Sequence, residues 1–303
     1  MFMICYLVLH YKNLSDTKKC IQSIMNISTS EDKILIVDNG SGDHSGSELK
    51  EIYKNNQKVS ILILEQNLGF SKGNNIGYEF LRSNYDPDFI VVTNNDVVFH
   101  QETFQKKIRE IYNKKHFYIL GPDVYIPRND DHQNPLFKKG ISIPELEKEI
   151  LEYENYEKKP KTFKRRLFLH KLKRRIYSNF EFARKLDSLV RNKDEIDYNL
   201  GYENVGLQGS CLIISADYIT KEVKLFDPEP FLYCEEIFLY YKCLKKKYKT
   251  VYSPEIAIRH EEAASFKKSN KNELDRIRFM LKHHVLARKM LLEYLQNDTK
   301  QST

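Results

Sequence analysis

The chain has 303 residues, 41% of them hydrophobic and 30% charged, which excludes a collagen-like, a disordered or a small disulfide-stapled protein. A chain of this length is near the limit at which a single core stops growing, so one large α/β domain with appendages, or two closely joined halves, is expected. The net charge of +7 is unevenly held. Between Lys158 and Lys193 stand 14 Lys and Arg against Glu181 and Asp187, a local +12 that leaves −5 for the rest of the chain. An anionic partner is therefore expected for that stretch alone.

No apolar run approaches the roughly 20 residues of a membrane helix. The start, Met1 to Leu9, lacks a basic leader and a small-residue cleavage site, so it reads as a first strand, and a cytoplasmic location is expected. Strands follow at Met3–Leu9, Lys33–Val37, Ser60–Leu64, Asp88–Thr93 and Phe117–Leu120. Between the first two, Ser15-Asp16-Thr17 can cap a helix with Cys20, Ile21, Ile24 and Met25 on one face; Asp43 and Ser45 precede a second helix, and a third starts near Ser71. This is an α/β pattern, a mostly parallel sheet flanked by helices. After Gly121-Pro122 a polar, then basic, stretch from Asp130 to Lys193 predicts a loop with one or two inserted helices. The αβ pattern resumes at Gly206–Ser215, and Leu274, Ile277, Met280, Leu281, Val285 and Leu292 predict a closing helix over Asn272–Leu295. Cys5, Cys20, Cys211, Cys234 and Cys243 form an odd set without CxxC, and are expected to be free thiols.

In such sheets ligands bind beyond the carboxyl ends of the strands. The residues there are His10-Tyr11-Lys12-Asn13, Asp38-Asn39-Gly40-Ser41-Gly42, Glu65-Gln66-Asn67-Leu68-Gly69-Phe70 and Asn94-Asn95-Asp96. Neither GxGxxG nor GxxxxGK[ST] follows the first strand, which speaks against a dinucleotide oxidoreductase and a P-loop nucleotidase.

Ile36-Val37-Asp38-Asn39-Gly40-Ser41, then Asn67-Leu68-Gly69-Phe70 with Lys72-Gly73-Asn74-Asn75-Ile76-Gly77, then Asn94-Asn95-Asp96-Val97, resemble the inverting family 2 glycosyltransferases of the GT-A fold, most nearly their rhamnosyltransferase-like branch. Downstream, Leu225 to Glu236 is similar to the family's FDE-x-FF-x-Y-x-ED block, and Arg259-His260 with Ser265 to its closing histidine motif. The resemblance covers roughly residues 3–125 and 200–266. It divides the chain into a nucleotide-sugar-binding half (1–125), a basic helical insert (126–199), an acceptor-side half with the catalytic base (200–266) and a helical tail (267–303).

Sugar transfer from a nucleotide diphosphate requires base recognition, neutralisation of the departing diphosphate and removal of the acceptor's proton. The resemblance implies that Asp38 contacts the base or ribose; a turn-forming Asp in D-N-G-S is the plain alternative. His10, Tyr11, Asn67, Gly69, Lys72, Asn74, Asn75, Asn94 and Asn95 join it at the nucleotide-sugar, with Gly69 and Gly73 letting backbone approach the ligand. The alternative for residues 67–75 is a helix start without a ligand. Asp96, the surviving carboxylate of the family's DxD, and His260 are the implied ligands of a divalent cation, Mg²⁺ or Mn²⁺, which accepts oxygen donors and retains water. Glu236 is the implied general base with Glu235 beside it, while dipole compensation at a helix start is the alternative. Gly209, Ser210, Phe231 and Tyr233 fall on the acceptor side. The chain departs from the family at Asn94, where the first acid is missing, at Glu236, where Asp is usual, and at Phe238, where a further Asp stands.

The resemblance thus implies transfer of a hexose or deoxyhexose, rhamnose among them, from a UDP- or dTDP-sugar to a glycan acceptor, lipid-linked, in capsule, O-antigen or cell-wall polysaccharide synthesis. A non-catalytic nucleotide-sugar-binding scaffold and a sugar-1-phosphate nucleotidyltransferase are the rivals, although the latter lacks its Gly-rich triphosphate loop. In the insert, Phe168, Leu172, Ile176, Phe180, Ala183, Leu186 and Val190 recur at helical spacing among basic residues. Such a helix suits the anionic inner face of a cell membrane, or packs on the protein's own core. No nucleic-acid-binding motif accompanies the charge.

Overall fold

The computed structural model describes residues 2–128, 130–178, 196–261 and 272–301. Contacts divide the chain into two units, one of residues 1–140 and 198–268 and one of 141–197 and 269–303.

The first unit runs β1 (Ile4–His10), α1 (Leu14–Ile27), β2 (Lys33–Asp38), α2 (Ser45–Tyr53), β3 (Val59–Ile63), α3 (Gly69–Asn84), β4 (Phe89–Asn94), β5 (Val97–Val98), α4 (Phe104–Lys115), β6 (Ile119–Ile126) and β7 (Asp131–His132). The second unit then interrupts it with α5 (Ile143–Lys158) and α6 (Pro160–Ser178). The first unit resumes as β8 (Tyr202–Glu203), β9 (Cys211–Ser215), α7 (Ala216–Lys221), α8 (Glu235–Lys246) and β10 (Thr250–His260), and α9 (Glu273–Gln301) returns to the second.

The sheet has the order β3-β2-β1-β4-β9-β6-β10-β5, with β7 on β6 and β8 on β10. β1 to β4 are mutually parallel, β9 lies antiparallel between β4 and β6, and β10 runs parallel to β6. Period-two alternation sorts the strand residues to two faces. Ile4, Tyr6, Val8, Ile34 and Ile36 join one core cluster, with Cys20, Ile21 and Ile24 of α1 and Phe104, Ile108 and Ile111 of α4. Cys5, Leu7, Leu35 and Val37 join the other, with Tyr78 and Leu81 of α3, Tyr218 of α7 and Leu239 and Cys243 of α8. Both faces are covered, which is why β1 reads as an unbroken apolar run. All five cysteines are buried free thiols.

Three expectations are corrected. Gly121-Pro122 does not end the fifth expected strand: β6 continues to Ile126 because β9 pairs only as far as Leu120, so the missing Pro122 N–H breaks no ladder there. Thr17 does not cap α1, which starts at Leu14, but is turned inward and fully buried. Gly73 does not open the backbone to a ligand: a Cβ there would meet Leu9 Cδ1 at 2.8 Å and Asn39 Nδ2 at 3.1 Å, so this glycine lets α3 lie on the sheet.

In the second unit, Phe163, Ile277 and Leu281 form a small core with Tyr153, Tyr156 and Met280. Arg288 pairs with Glu149 at 2.8 Å and Lys289 with Glu154 at 2.6 Å, so the insert and the closing helix form one helical body. Most of the apolar positions expected over 168–190 lie outside the described side chains. The first, Phe168, is 65% exposed, and Leu169 beside it 52%. Ser265 also lies outside the described residues.

Candidate functional site

The parallel register places the carboxyl ends of β1, β2 and β4 side by side, bringing His10, Asp38 and Asn94 to one edge of the sheet. β9 enters from the opposite direction, so its start meets the end of β4: Asn94 N–H donates to the Ser210 carbonyl (2.9 Å), as does the Thr93 hydroxyl (3.0 Å). Next to Ser210, Gly209 N–H donates to Glu236 Oε1 at 3.3 Å. The last residue of β10, His260, has Nε2 3.2 Å from Asp96 Oδ1. The loop before α3 is joined to the segment before α8, Phe70 N–H donating to the Phe231 carbonyl at 2.7 Å. Most of the expected site residues thus occupy one edge.

They differ in what they have left to offer. Asp38 is 3% exposed, and its Oδ1 accepts from both the Ser41 amide (3.1 Å) and the Ser41 hydroxyl, so the turn role is fulfilled. A Cβ on Gly46 would strike its other oxygen, hence Gly46 lets the first turn of α2 lie against the carboxylate. His10 is fully buried with both ring nitrogens engaged, Nδ1 with Thr17 Oγ1 (2.7 Å) and Nε2 with Ser45 Oγ (2.8 Å), so its place is beneath the site and not in it. Asn95 is likewise committed, donating to Thr17 Oγ1 at 2.9 Å.

Asn75 is a staple across 151 residues: its amide donates to the Phe226 carbonyl (2.7 Å) and Glu229 Oε1 (2.7 Å), and its oxygen accepts from Phe226 N–H (2.9 Å). Both of its amide hydrogens are spent within the protein. Asn74 by contrast is 1% exposed with Oδ1 unpartnered. Asn67 Oδ1 accepts from Gly69 N–H at 2.8 Å, and Gly69 itself has φ +83° with the Phe231 carbonyl where a Cβ would be. Gly69 therefore serves a close protein contact and not a ligand. Lys72 is exposed in the first turn of α3, while Tyr11 and Asn94 are partly exposed.

Glu235 and Glu236 open α8 immediately after Tyr233 (φ +71°) and Cys234 (φ +64°), two successive left-handed residues. Each such non-glycine residue costs about 1 kcal/mol or more, and such strain collects at functional sites. Glu235 is 7% exposed with Oε2 unpartnered; burial, then the neighbouring Glu236 charge, pushes its carboxyl well above the ordinary glutamate value. Burial also raises Glu236, partly offset by backbone amides including that of Gly209. Glu236 remains partly exposed. Ser210 Oγ is a further buried unpartnered atom, while Phe231 and Tyr233 are partly exposed.

Four residues that sequence reasoning passed over support these. Asn39 accepts from Leu68 N–H (3.0 Å) and donates to the Gly69 carbonyl (2.9 Å), holding the 67–69 loop. Gln208 Oε1 accepts from Ser210 N–H at 2.6 Å, and Asn134 Oδ1 from Gln208 N–H at 3.1 Å. Gln133 Oε1 lies 2.8 Å from His260 Nδ1 and fixes the orientation of the ring. With Nδ1 engaged by Gln133, the other ring nitrogen, Nε2, faces the Asp96 carboxylate. An imidazole nitrogen and a carboxylate oxygen 3.2 Å apart are a donor set that Mn²⁺ accepts. Among the described residues no group of three or more His, Cys, Asp or Glu could hold a metal, so phosphate and water oxygens would complete such a shell.

The family model for glycosyl transferase family 2 matches residues 5–188. The chain belongs to glycosyl transferase family 2. Among solved structures it is similar to S. aureus TarS 1–349, at 12% identity over 91% of this chain and 68% of that one with a TM-score of 0.49. It is also similar to GalNAc-T7 with UDP, GalNAc and Mn²⁺, at 11% identity over 86% of this chain with a TM-score of 0.56. This chain spans 43% of the GalNAc-T7 chain, and the likeness is one of fold, of the GT-A type. No curated protein matches. The family match includes β1 to β4 and their loops but stops short of Gly209, Glu235, Glu236 and His260. The glycosyltransferase assignment therefore rests on residues 5–188.

Proposed function

We propose that the protein is an inverting glycosyltransferase of the rhamnosyltransferase-like branch. It moves a hexose or deoxyhexose, rhamnose among them, from a UDP- or dTDP-sugar to a glycan acceptor. The observation that carries this reading is Glu236: a partly exposed carboxyl raised by burial, held by Gly209 N–H and adjoining the edge where Asn94 and Asp96 stand. Glu236 takes the proton of the acceptor hydroxyl as it attacks the anomeric carbon, and one displacement on the face opposite the leaving group inverts the centre. Asp96 and His260 would hold a divalent cation, Mg²⁺ or Mn²⁺, whose charge offsets that of the departing diphosphate. Asn74 Oδ1 and Lys72 are the groups of α3 best placed to meet the donor, one an unpartnered acceptor and the other an exposed cation.

The acceptor in this reading is lipid-linked, as in capsule, O-antigen or cell-wall polysaccharide assembly, and the enzyme works on the inner face of the membrane. No helix among the described residues is long and apolar enough to cross a bilayer. Support for peripheral contact comes from the +12 of residues 158–193 and from exposed Phe168 and Leu169 of α6 beside Lys164, Arg165 and Arg166. Sedimentation with anionic and neutral vesicles at low and high salt tests it, and equal binding to both lipids would remove the electrostatic argument. The central test is a panel of UDP- and dTDP-sugars, assayed for binding and hydrolysis with and without Mn²⁺. Absence of any bound nucleotide-sugar ends the reading.

A further inference from the structure

His10 is the one strongly polar side chain sealed at the end of the central strand, with no exposed surface, and its two nitrogens reach in opposite directions. On one side Thr17 Oγ1 also accepts from Asn95 Nδ2, the residue next to Asp96. On the other side Ser45 Oγ lies within hydrogen-bond distance of Asp43 Oδ1, and Ser45 opens α2, whose next residue, Gly46, abuts the Asp38 carboxylate. Five side chains from four places in the sequence thus form one string, Asn95, Thr17, His10, Ser45 and Asp43.

Proton counting fixes the direction of that string. Burial opposes the charge on Asp43, but the Ser45 hydroxyl and amide outweigh it and hold the carboxyl below its ordinary value, so the anion accepts and Ser45 must donate. With its one hydrogen spent there, Ser45 must accept from His10 Nε2–H. Burial, against the pull of Asp38 and Asp43, lowers the His10 pKa and keeps the ring neutral, so Nδ1 is bare and the Thr17 hydroxyl, which also lies 3.0 Å from the Asn13 carbonyl, shares its hydrogen between that carbonyl and the nearer Nδ1. Thr17 then accepts from the Asn95 amide, which can only donate. Each inner member gives a hydrogen to one neighbour and receives one from the other, in a single order from Asn95, which donates, to Asp43, which accepts. Such a string tolerates no slack at its centre, where the rigid ring fixes the distance between its two neighbours.

We propose that His10 is a positioning residue that sets the separation between the Asp38–Ser45 loop and the Asn94–Asp96 turn, the two walls between which a nucleoside diphosphate would extend. The proposal deepens the nucleotide-sugar reading above and rests on it for its functional consequence, but its structural content is testable without a ligand. An Asn amide reproduces the position of Nδ1, and a Gln amide that of Nε2. His10→Asn therefore keeps the Thr17 contact and frees Ser45, whereas His10→Gln does the reverse.

Hydrogen–deuterium exchange on the ligand-free full chain separates the cases. His10→Asn is expected to raise exchange in residues 41–46 and leave 94–97 near wild type, and His10→Gln to raise 94–97 and spare 41–46. Calorimetric titration with UDP and dTDP in the presence of Mn²⁺ then reads the consequence, a loss of about tenfold or more in affinity for both variants. Exchange that rises uniformly, or in neither loop, overturns the positioning role, as does nucleotide affinity within twofold of wild type in folded variants. If the wild type binds neither nucleotide while the two variants show the paired exchange pattern, the nucleotide-sugar reading and the functional half of this proposal fall together, and the geometric half stands.

Discussion

The residues at the ends of β1, β2 and β4 and the head of α8 face the same edge of the sheet but treat their polar atoms oppositely. At the ends of β1, β2 and β4, His10, Asp38, Asn39 and Asn95 are buried and spend their hydrogen bonds on one another's loops. At the head of α8, Glu235 Oε2 and, beside it in the β9 approach, Ser210 Oγ are buried without partners, behind two left-handed residues. A satisfied buried group adds about 1 kcal/mol of stability, whereas an orphaned one costs roughly 1–3 kcal/mol. The first region has the energetics of a scaffold, and the second tolerates a cost that folding alone does not explain. Removing residues from each should separate the two.

The largest effect is expected at Glu236. Glu236→Gln keeps the size of the side chain and deletes the base, so transfer should fall by about 10²–10⁴ while circular dichroism and melting temperature stay near wild type. Because burial raises this carboxyl, activity in the wild type should be lost on acidification at a pH above the ordinary glutamate value. A Glu236→Gln enzyme with wild-type turnover would reassign the site to a binding role. Gly69→Ala comes next, acting on structure and not chemistry. Its φ of +83° and the Phe231 carbonyl in the path of a Cβ together predict a loss of about 3 kcal/mol in denaturant unfolding, since neither the backbone nor that oxygen can move aside cheaply.

Glu235 should behave in the opposite sense. Its folded pKa is raised, so between the unfolded value and the folded one the native state binds more protons than the unfolded state, and stability falls as pH rises through that window. Glu235→Gln removes the slope. The variant should be more stable than wild type by about 1–2 kcal/mol near pH 8 and indistinguishable below pH 4, measured by urea unfolding across pH. A variant that is less stable at pH 8 would mean that Glu235 has a partner and belongs with the scaffold.

Much of the fold was legible because both faces of the sheet are covered: Ile4 to Leu9 and Phe89 to Val92 could only be interior strands, and the polar residues after them could only be at its edge. What was not legible was which of those polar residues act as architecture. Asn74 and Asn75 are identical neighbours in the sequence, yet Asn75 is consumed by Phe226, 151 residues away, and Asn74 keeps a free acceptor. Only tertiary contact separates them. His10 looked like a ligand contact for the same reason, since a histidine at a strand end carries no mark of whether the next loop closes over it. Gln133, in a polar stretch without pattern, gave no signal, although it sets the ring orientation of His260. Glu236 was legible through its motif, its unusual setting was not.

The smallest effect concerns the scaffold's tightest seam. Gly77 faces β1 and β2 from the middle of α3, and a Cβ there would strike Leu7 Cδ1 and lie 2.9 Å from Val37 Cγ2. Gly77→Ala therefore sets two terms against each other: a gain of roughly 1 kcal/mol in helix propensity and a packing cost of about 1–3 kcal/mol. Leu7 is fully buried and Val37 is β-branched, so neither yields easily, and packing should win by about 1 kcal/mol. Thermal unfolding measures it, and nucleotide affinity should not change, because Gly77 faces Leu7 and Val37 on the sheet and not the strand-end edge. If the substitution stabilised the protein, α3 would have room to move on the sheet, and the strand-end scaffold would be less rigid than its hydrogen bonds imply.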